Sequence, residues 1–545
     1  MTLHVIVPCW RELEPEMAIE TGCKYAIFIP LGGKPLYKHI VEQYARAENP
    51  PQITFILSEN APPIDVNCPQ GGVVKALRIV NSNSIGETVY AGLEDVAQGD
   101  AVVVQMADTL VQMDRPVELD RVFIQQRSDL YRWTSVVEDL EGQVRILHDR
   151  SNFKPVIEPQ AVCVGLFTFQ DGLQLQASLK DALKSKKNTL DSFFMAVESY
   201  SALHPMRLIS NSSWFDCGHV DTYYESRLSF QNLRHFNSLS YDSIRGQITK
   251  RSVMVDRFRH QVRWFKQVPD SLAAFLPRIF DSDDGDDPFI TMELLSIPTL
   301  GELFVSQRLN LGAWNGVVRT ISFILSEFSA SSYPTVLGRQ LSQNMYVDKT
   351  KARLAEFIQQ DSQALNYWVQ VGDQVWSVRR VLDCIDEFSN DNELLTQDQL
   401  CPIHGDFCFS NLLYDPRVCL VKMIDPRGEF GVPGIYGNQL YDLAKLAHSF
   451  DGGYDFIVSD LFSIQIDTSG EIRLKTRMEE YHCCVRSIFE AMLLHDEKLK
   501  RQVYAIEALL FLSMLPLHVD APQRQLAMLA TGLRLFAMNS MATRI

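Results

Sequence analysis

His404-Gly405-Asp406-Phe407-Cys408-Phe409-Ser410-Asn411, followed by an apolar hairpin that ends at Ile424-Asp425-Pro426-Arg427-Gly428, is the stretch that decides how the second half of the chain is read. Charged and amide side chains lie among strand-like runs here, where packing alone would select apolar ones. Leu412-Leu413-Tyr414 and Val418 to Ile424 read as two short strands joined by the turn-forming Asp415-Pro416-Arg417, so the hairpin carries Asp425 back towards Asn411. A carboxylate and an amide oxygen meeting in this way are hard donors suited to Mg2+. Taken singly, each residue has a plainer reading: Asp406 caps a turn, Asn411 caps a helix, and Asp425 ends a strand.

Asp406 and Asn411 are five apart, the interval that kinase catalytic loops place between the aspartate accepting the substrate hydroxyl proton and the asparagine on Mg2+. The stretch resembles the aminoglycoside phosphotransferase and choline kinase superfamily, whose loop reads H-G-D-x-x-x-x-N followed by an I-D motif. The resemblance implies an α+β bilobal, protein-kinase-like domain over residues 236–545, with an N-lobe at about 236–298 and a C-lobe at about 299–545. It also implies Asp406 as catalytic base, Asn411 and Asp425 as metal ligands, and ATP with Mg2+ as phosphate donor. Gly246 to Ser252 reads as a strand whose Lys250 reaches the ATP phosphates or, more plainly, is solvated. Asp256 to Val268 has helical spacing, and matching it to the family's E-x-x-W/F-F pattern puts Gln261 where the family has the glutamate that pairs with the strand lysine. Phe289 to Leu295 looks like the strand entering the hinge, where backbone groups of Glu293 to Leu295 would meet adenine. The family has an aspartate bracing the catalytic loop at the position of Asp442. Arg427 is open between an anionic acceptor and a salt bridge within the loop. Tyr367, Trp368 and Trp376 read as core aromatics, with a cage for a quaternary ammonium as the alternative.

The first half has a different rhythm. Leu3 to Pro8, Ile53 to Leu57 and Ala101 to Gln105 are β-branched runs separated by helix-length segments, which predicts an α/β domain with a largely parallel sheet. Ligands of such sheets collect beyond the carboxyl ends of the strands, where Asp108 stands. Lys24, Gly32-Gly33-Lys34-Pro35-Leu36, Gly86-Glu87-Thr88, Asp108 and Trp214-Phe215-Asp216-Cys217-Gly218 follow one another in an order that resembles the sugar-phosphate nucleotidyltransferases. That resemblance implies a Rossmann-like, GT-A-like nucleotidyltransferase fold over residues 1–235. By it, Asp108 and Asp216 hold Mg2+, Lys24 neutralises the α-phosphate, and Gly86 and Thr88 open a helix whose free N–H groups face the nucleotide. The family's glycine-rich first loop is replaced by Pro8-Cys9-Trp10-Arg11-Glu12, with Arg11 the surviving basic residue of its signature. Bulky Trp10 obstructs close approach of backbone to phosphate.

A formal charge of -16 argues against a protein that lives on nucleic acid, which needs clustered lysine and arginine. The eleven cysteines are scattered without zinc spacing and read as reduced thiols of a cytoplasmic protein. Met1 to Cys9 lacks the form of a signal peptide. Ala508 to Leu517 is too short to span a bilayer and contains Pro516, so it reads as a core helix and no membrane is expected. Ser282 to Pro288 is an acidic turn without calcium-loop spacing.

Together the two resemblances imply a bifunctional enzyme. One domain would phosphorylate a small hydroxyl metabolite (a sugar, polyol or amino alcohol) with ATP. The other would couple that phosphate to a second nucleoside triphosphate (CTP, UTP or dTTP), giving a nucleotide-activated donor for surface or capsular polysaccharide. The altered first loop motivates an alternative in which the first domain binds ligand without turnover. The oligomeric state stays open, a homo-oligomer included.

Overall fold

The computed structural model describes residues 2–542 apart from 33, 46–48, 65–71, 112–117, 128–132, 140–142, 147–158, 186–190, 211–213, 232–236, 243–244, 296 and 397–398. Gly33 and residues 232–236 at the expected domain boundary therefore lie outside the described residues. The chain divides into two compact units, Met1–Leu233 and Arg234–Ile545.

In the first unit the strand Leu3–Cys9 lies inside a seven-stranded sheet, between Ala101–Gln105 and Gln52–Ser58, both parallel to it. Val73–Ile79 extends one side. Gln160–Phe169, Arg121–Arg127 and Arg207–Ser210 complete the other, and Gln160–Phe169 alone among the seven runs antiparallel to the rest. Val5 and Val7 enter the core on one face and Ile6 the core on the other. The period of two thus fills both faces, which is why the central strands are continuous apolar runs rather than alternating ones.

The second unit begins with a four-stranded antiparallel sheet in the order Asn237–Asp242, Gln247–Ser252, Phe289–Glu293, Ile279–Asp283. Helix Val255–Gln267 covers it through Phe258 and Val262, which pack on Ile290 and Met292. The acidic turn is the tip of its second hairpin, where the Asp284 carboxylate receives Arg263 at 2.7 Å and Lys266 at 2.5 Å.

The remainder is mostly helical, with Leu311–Ala330, Gln439–Phe450, Glu480–Leu493, Glu497–Ser513 and Pro522–Ala542 around one large apolar core. Ala508 to Leu517 is divided between the end of Glu497–Ser513 and a short 3-10 turn containing Pro516. No helix among the described residues is long and apolar enough to cross a membrane. Trp368 and Trp376 lie on a hairpin, Trp368–Val371 with Gln374–Ser377. The Trp376 ring packs on Phe536, with the Arg380 guanidinium 3.8 Å from its centre. A cation of the chain itself therefore holds that ring, which matches the packing reading.

Candidate active sites

In the second unit the hairpin pairs Leu412 with Met423 and Tyr414 with Val421, and the Ile424 N–H donates to the Asn411 carbonyl at 3.0 Å. Asp425 thereby arrives beside Asn411, in a left-handed conformation with φ 57°. The Asn411 Nδ2 donates to the Asp406 carbonyl at 2.9 Å, an orientation that leaves its Oδ1 as an acceptor. Lys250 Nζ donates to Asp425 Oδ1 at 2.6 Å, and the Gln261 amide reaches the same oxygen at 3.4 Å. Asp406, Asn411, Asp425 and Lys250, dispersed over 175 residues, are thus brought together.

The loop is held from beneath. Asp442, fully buried on helix Gln439–Phe450, accepts the His404 N–H at 2.7 Å and the Gly405 N–H at 2.9 Å, the bracing expected of it. Burial pushes its carboxyl up, to about 7, against these two bonds. One turn on, Lys445 donates to Asp406 Oδ1 at 2.9 Å, and Arg427 Nε stands 3.8 Å from Asp406 Oδ2. Burial opposes ionisation of Asp406, but Lys445 and Arg427 outweigh it and hold the carboxyl well below the usual range. Burial also depresses the His404 imidazole, to about 4. Lys445 escaped the sequence reading, although its spacing of three from Asp442 puts both on one helix face, a usable signal.

At the expected hinge, the Glu293 N–H donates to Arg278 and the Leu294 N–H to Gly246, at 2.8 and 2.9 Å. The Leu295 N–H has no partner among the described residues.

In the first unit Thr109–Val111 pairs antiparallel with Trp214–Asp216, setting Asp216 opposite Thr109 and next to Asp108. A Cβ on Gly218 would lie 2.7 Å from Asp108 Oδ2 and 3.5 Å from Asp216 Oδ1, so both carboxylates border one point. The Thr222 hydroxyl donates to Asp216 Oδ2, and His219 Nδ1 lies 3.2 Å from it. Burial, then the like charge of Asp216, raises Asp108 to about 6. Trp133, outside the sequence reading, forms a wall with Trp214 and His219 at ring separations of 4.8 and 4.9 Å.

Other expected contributors are not gathered at this pair. Lys24 is bound by Glu12 at 2.8 Å and Arg11 by Glu14 at 2.6 Å, all well exposed, and neither cation touches Asp108 or Asp216 among the described residues. The open helix terminus expected at Gly86 and Thr88 is corrected. The N–H groups of Ile85 and Gly86 donate to the Asp191 carboxylate at 3.0 and 3.2 Å, and that of Glu87 donates to Ser84 Oγ at 3.1 Å. Helix Ile85–Ala91 is capped by the protein itself, and the Thr88 hydroxyl is spent on Ser82 and Ser84.

Both sites fit Mg2+ by the chemistry of their donors. Each offers two oxygen ligands, and Mg2+ characteristically takes one or two protein oxygens, completing its shell with phosphate and water. Among the described residues no group of three or more histidine, cysteine or acidic side chains forms a closed metal cage.

No family model matches the chain, and no curated protein matches it. Among solved structures, a CTP:phosphocholine cytidylyltransferase from Streptococcus pneumoniae is 14% identical over 42% of this chain and 99% of its own, with a TM-score of 0.31. A nucleoside-diphosphate-sugar pyrophosphorylase from Vibrio cholerae is 14% identical over 41% and 99%, with a TM-score of 0.31. A 4-diphosphocytidyl-2C-methyl-D-erythritol synthase from Anaerococcus prevotii is 11% identical over 42% and 96%, with a TM-score of 0.25.

Proposed function

We propose that the protein is a two-site phosphate-transfer enzyme: its second unit phosphorylates a small hydroxyl compound with ATP, and its first unit joins a nucleotidyl group to the resulting phosphate. The observation that carries the reading is the meeting of Asp406, Asn411, Asp425 and Lys250 in one constellation, since packing gives no reason for two carboxylates, an amide and a lysine to converge.

In the second unit, the acceptor oxygen forms a bond to the γ-phosphorus and the bond to the β,γ-bridging oxygen breaks, releasing ADP. Asp406 takes the hydroxyl proton. Ionised and held by Lys445, it is a weak base, in keeping with a transition state in which little charge builds on the acceptor oxygen. Asn411 and Asp425 would hold Mg2+, which when bound supplies charge neutralisation to the triphosphate. Lys250, beside Asp425, would receive phosphate oxygens. The Leu295 N–H is available to adenine.

In the first unit, the acceptor phosphate oxygen bonds to the α-phosphorus of CTP, UTP or dTTP and pyrophosphate leaves. Asp108 and Asp216 would hold a second Mg2+ between two anions that otherwise repel. The product is a nucleotide-activated donor of the kind consumed in surface polysaccharide assembly. A second reading, in which the first unit binds nucleotide or sugar phosphate without turnover, is favoured by the engagement of Lys24 and Arg11 with glutamates.

The test is product analysis after incubation with Mg2+, ATP, CTP, UTP, GTP, dTTP and a metabolite pool. A phosphorylated compound together with its nucleotide adduct supports the two-site reading. A phosphorylated compound without pyrophosphate release supports the second.

A further inference from the structure

We propose that the acceptor of the second unit is itself an anion, a hydroxyl compound carrying a carboxylate or phosphate group that Arg257, Lys349 and Arg427 receive while its hydroxyl faces Asp406. The inference rests on the phosphotransferase reading and adds the class of substrate.

Three elements carry these cations to one place. Gly428 is left-handed with φ 65°, and a Cβ there would overlap the backbone of His260, so the loop after Asp425 lies directly on helix Val255–Gln267. Arg257 precedes His260 by three residues and shares its helix face. On the loop's other side, a Cβ on Gly431 would lie 3.4 and 3.7 Å from the side chains of Leu341 and Met345. Tyr346 packs against Phe430 and stacks on Tyr441 at ring separations of 6.1 and 6.3 Å. Tyr346 belongs to a π-helical turn, Gln343–Asp348, that leads straight into Lys349, and such turns occur often at functional sites. Arg427 comes from the loop itself, with a buried Nε that has no hydrogen-bond partner among the described residues.

The charges around Asp406 do not balance. Asp406 is shared by Lys445 and Arg427, Asp425 is taken by Lys250, and Glu429 lies 3.4 Å from His260. Among the described residues neither Arg257 nor Lys349 has a carboxylate within 4.0 Å, leaving positive charge in excess beside the proposed base. Burial and then Arg427 lower the Arg257 pKa. Tyr441 favours protonated Lys349, but burial with Arg427, Lys445 and Arg353 prevails and lowers it. Cations that weaken one another are stabilised by an anionic ligand, and they repel a cationic one.

The experiment titrates the full chain, saturated with a non-hydrolysable ATP analogue and Mg2+, with D-glycerate, glycerol 3-phosphate, glycerol and choline. At least one of the two anions is expected to bind tenfold or more tightly than glycerol or choline, and the two arms separate carboxylate from phosphate recognition. Arg257→Gln with Lys349→Gln is expected to weaken anion binding tenfold or more while affinity for the ATP analogue changes less than twofold. Arg257→Lys with Lys349→Arg should retain most of the binding, and thermal melts show whether each variant folds. The proposal is overturned if neither anion binds, if glycerol or choline binds as well as the anions, or if the paired glutamine variant loses the ATP analogue instead. ADP release is measured separately: anion binding without phosphorylation of any acceptor would sink the phosphotransferase reading and leave the anion site standing.

Discussion

Lys250 Nζ lies 2.6 Å from Asp425 Oδ1, tying the sheet of the second unit to the residue that follows its Asn411 hairpin. Because the helix position beside it is Gln261, which is neutral, Asp425 is the one carboxylate within ion-pair reach of Lys250 among the described residues. The lysine is therefore anchored by a proposed metal ligand instead of by a helix glutamate. Lys250→Ala removes a charge-assisted contact of about 1.5–3 kcal/mol. A rise of tenfold or more in the KM for ATP is expected, with a smaller change in the KM for the acceptor. Initial-rate kinetics of ADP release check it.

Asp406→Asn and Lys445→Met should fail in different ways. The first removes the proposed proton acceptor and is expected to lower ADP release by about 10²–10⁴-fold with ATP binding retained. The second breaks a pair in which Lys445 is almost fully buried, at a cost of about 3–5 kcal/mol, so melting temperature falls along with activity. If Asp406→Asn keeps full turnover, Asp406 is not the base.

The pH dependence follows from two depressed groups. Asp406 is ionised well below pH 4 and His404 is neutral above about pH 4, so neither changes charge between pH 5 and 8. The kcat for ADP release should lack a limb from these groups in that window. Stability behaves otherwise. Unfolded His404 takes up a proton as pH falls through about 6.5 while the folded imidazole resists until about 4, so stability declines across that interval. The contribution of Asp406 is present above about pH 4 and is lost only under stronger acid. A kcat limb between pH 5 and 8 that disappears in His404→Gln would contradict this.

Gly218→Ala places a methyl 2.7 Å from Asp108 Oδ2, closer than a carbon tolerates, and must displace that carboxylate. Pyrophosphate release by the first unit is expected to fall at least tenfold, since misplacement by about 1 Å can cost a hundredfold. ADP release by the second unit should be unchanged. Measuring both products from one preparation separates a local effect from misfolding.

Asp191 accepts N–H groups from two helices, those of Ile85 and Gly86 and, at 2.8 Å, that of Phe193 at the start of its own. Asp191→Ala should destabilise the first unit by about 1–3 kcal/mol. Chemical denaturation followed by tryptophan fluorescence reads it. No loss of stability would mean that the cap is idle.

The brace at Asp442, 38 residues from His404, was implied only by the family resemblance, whereas the hairpin between Asn411 and Asp425 and the central parallel strands were legible locally. These last two depend on spacing along a few residues, and short-range periodicity survives in the sequence. The family resemblance misled at Gly86 and Thr88. A glycine and a threonine at a helix start look open until Asp191, over a hundred residues away, is seen to take the N–H groups. Trp133 was invisible for the same reason, because nothing near it in the chain announces Trp214 and His219.

By itself the sequence determined which acidic, amide and basic side chains stand in motif order, and the local turns and strands that display them. Only the tertiary structure decided which charges meet: Lys250 with Asp425, Lys445 with Asp406, Lys24 with Glu12. Ion pairing acts over a few ångströms of space and is indifferent to distance along the chain, so its outcome is set when the elements pack.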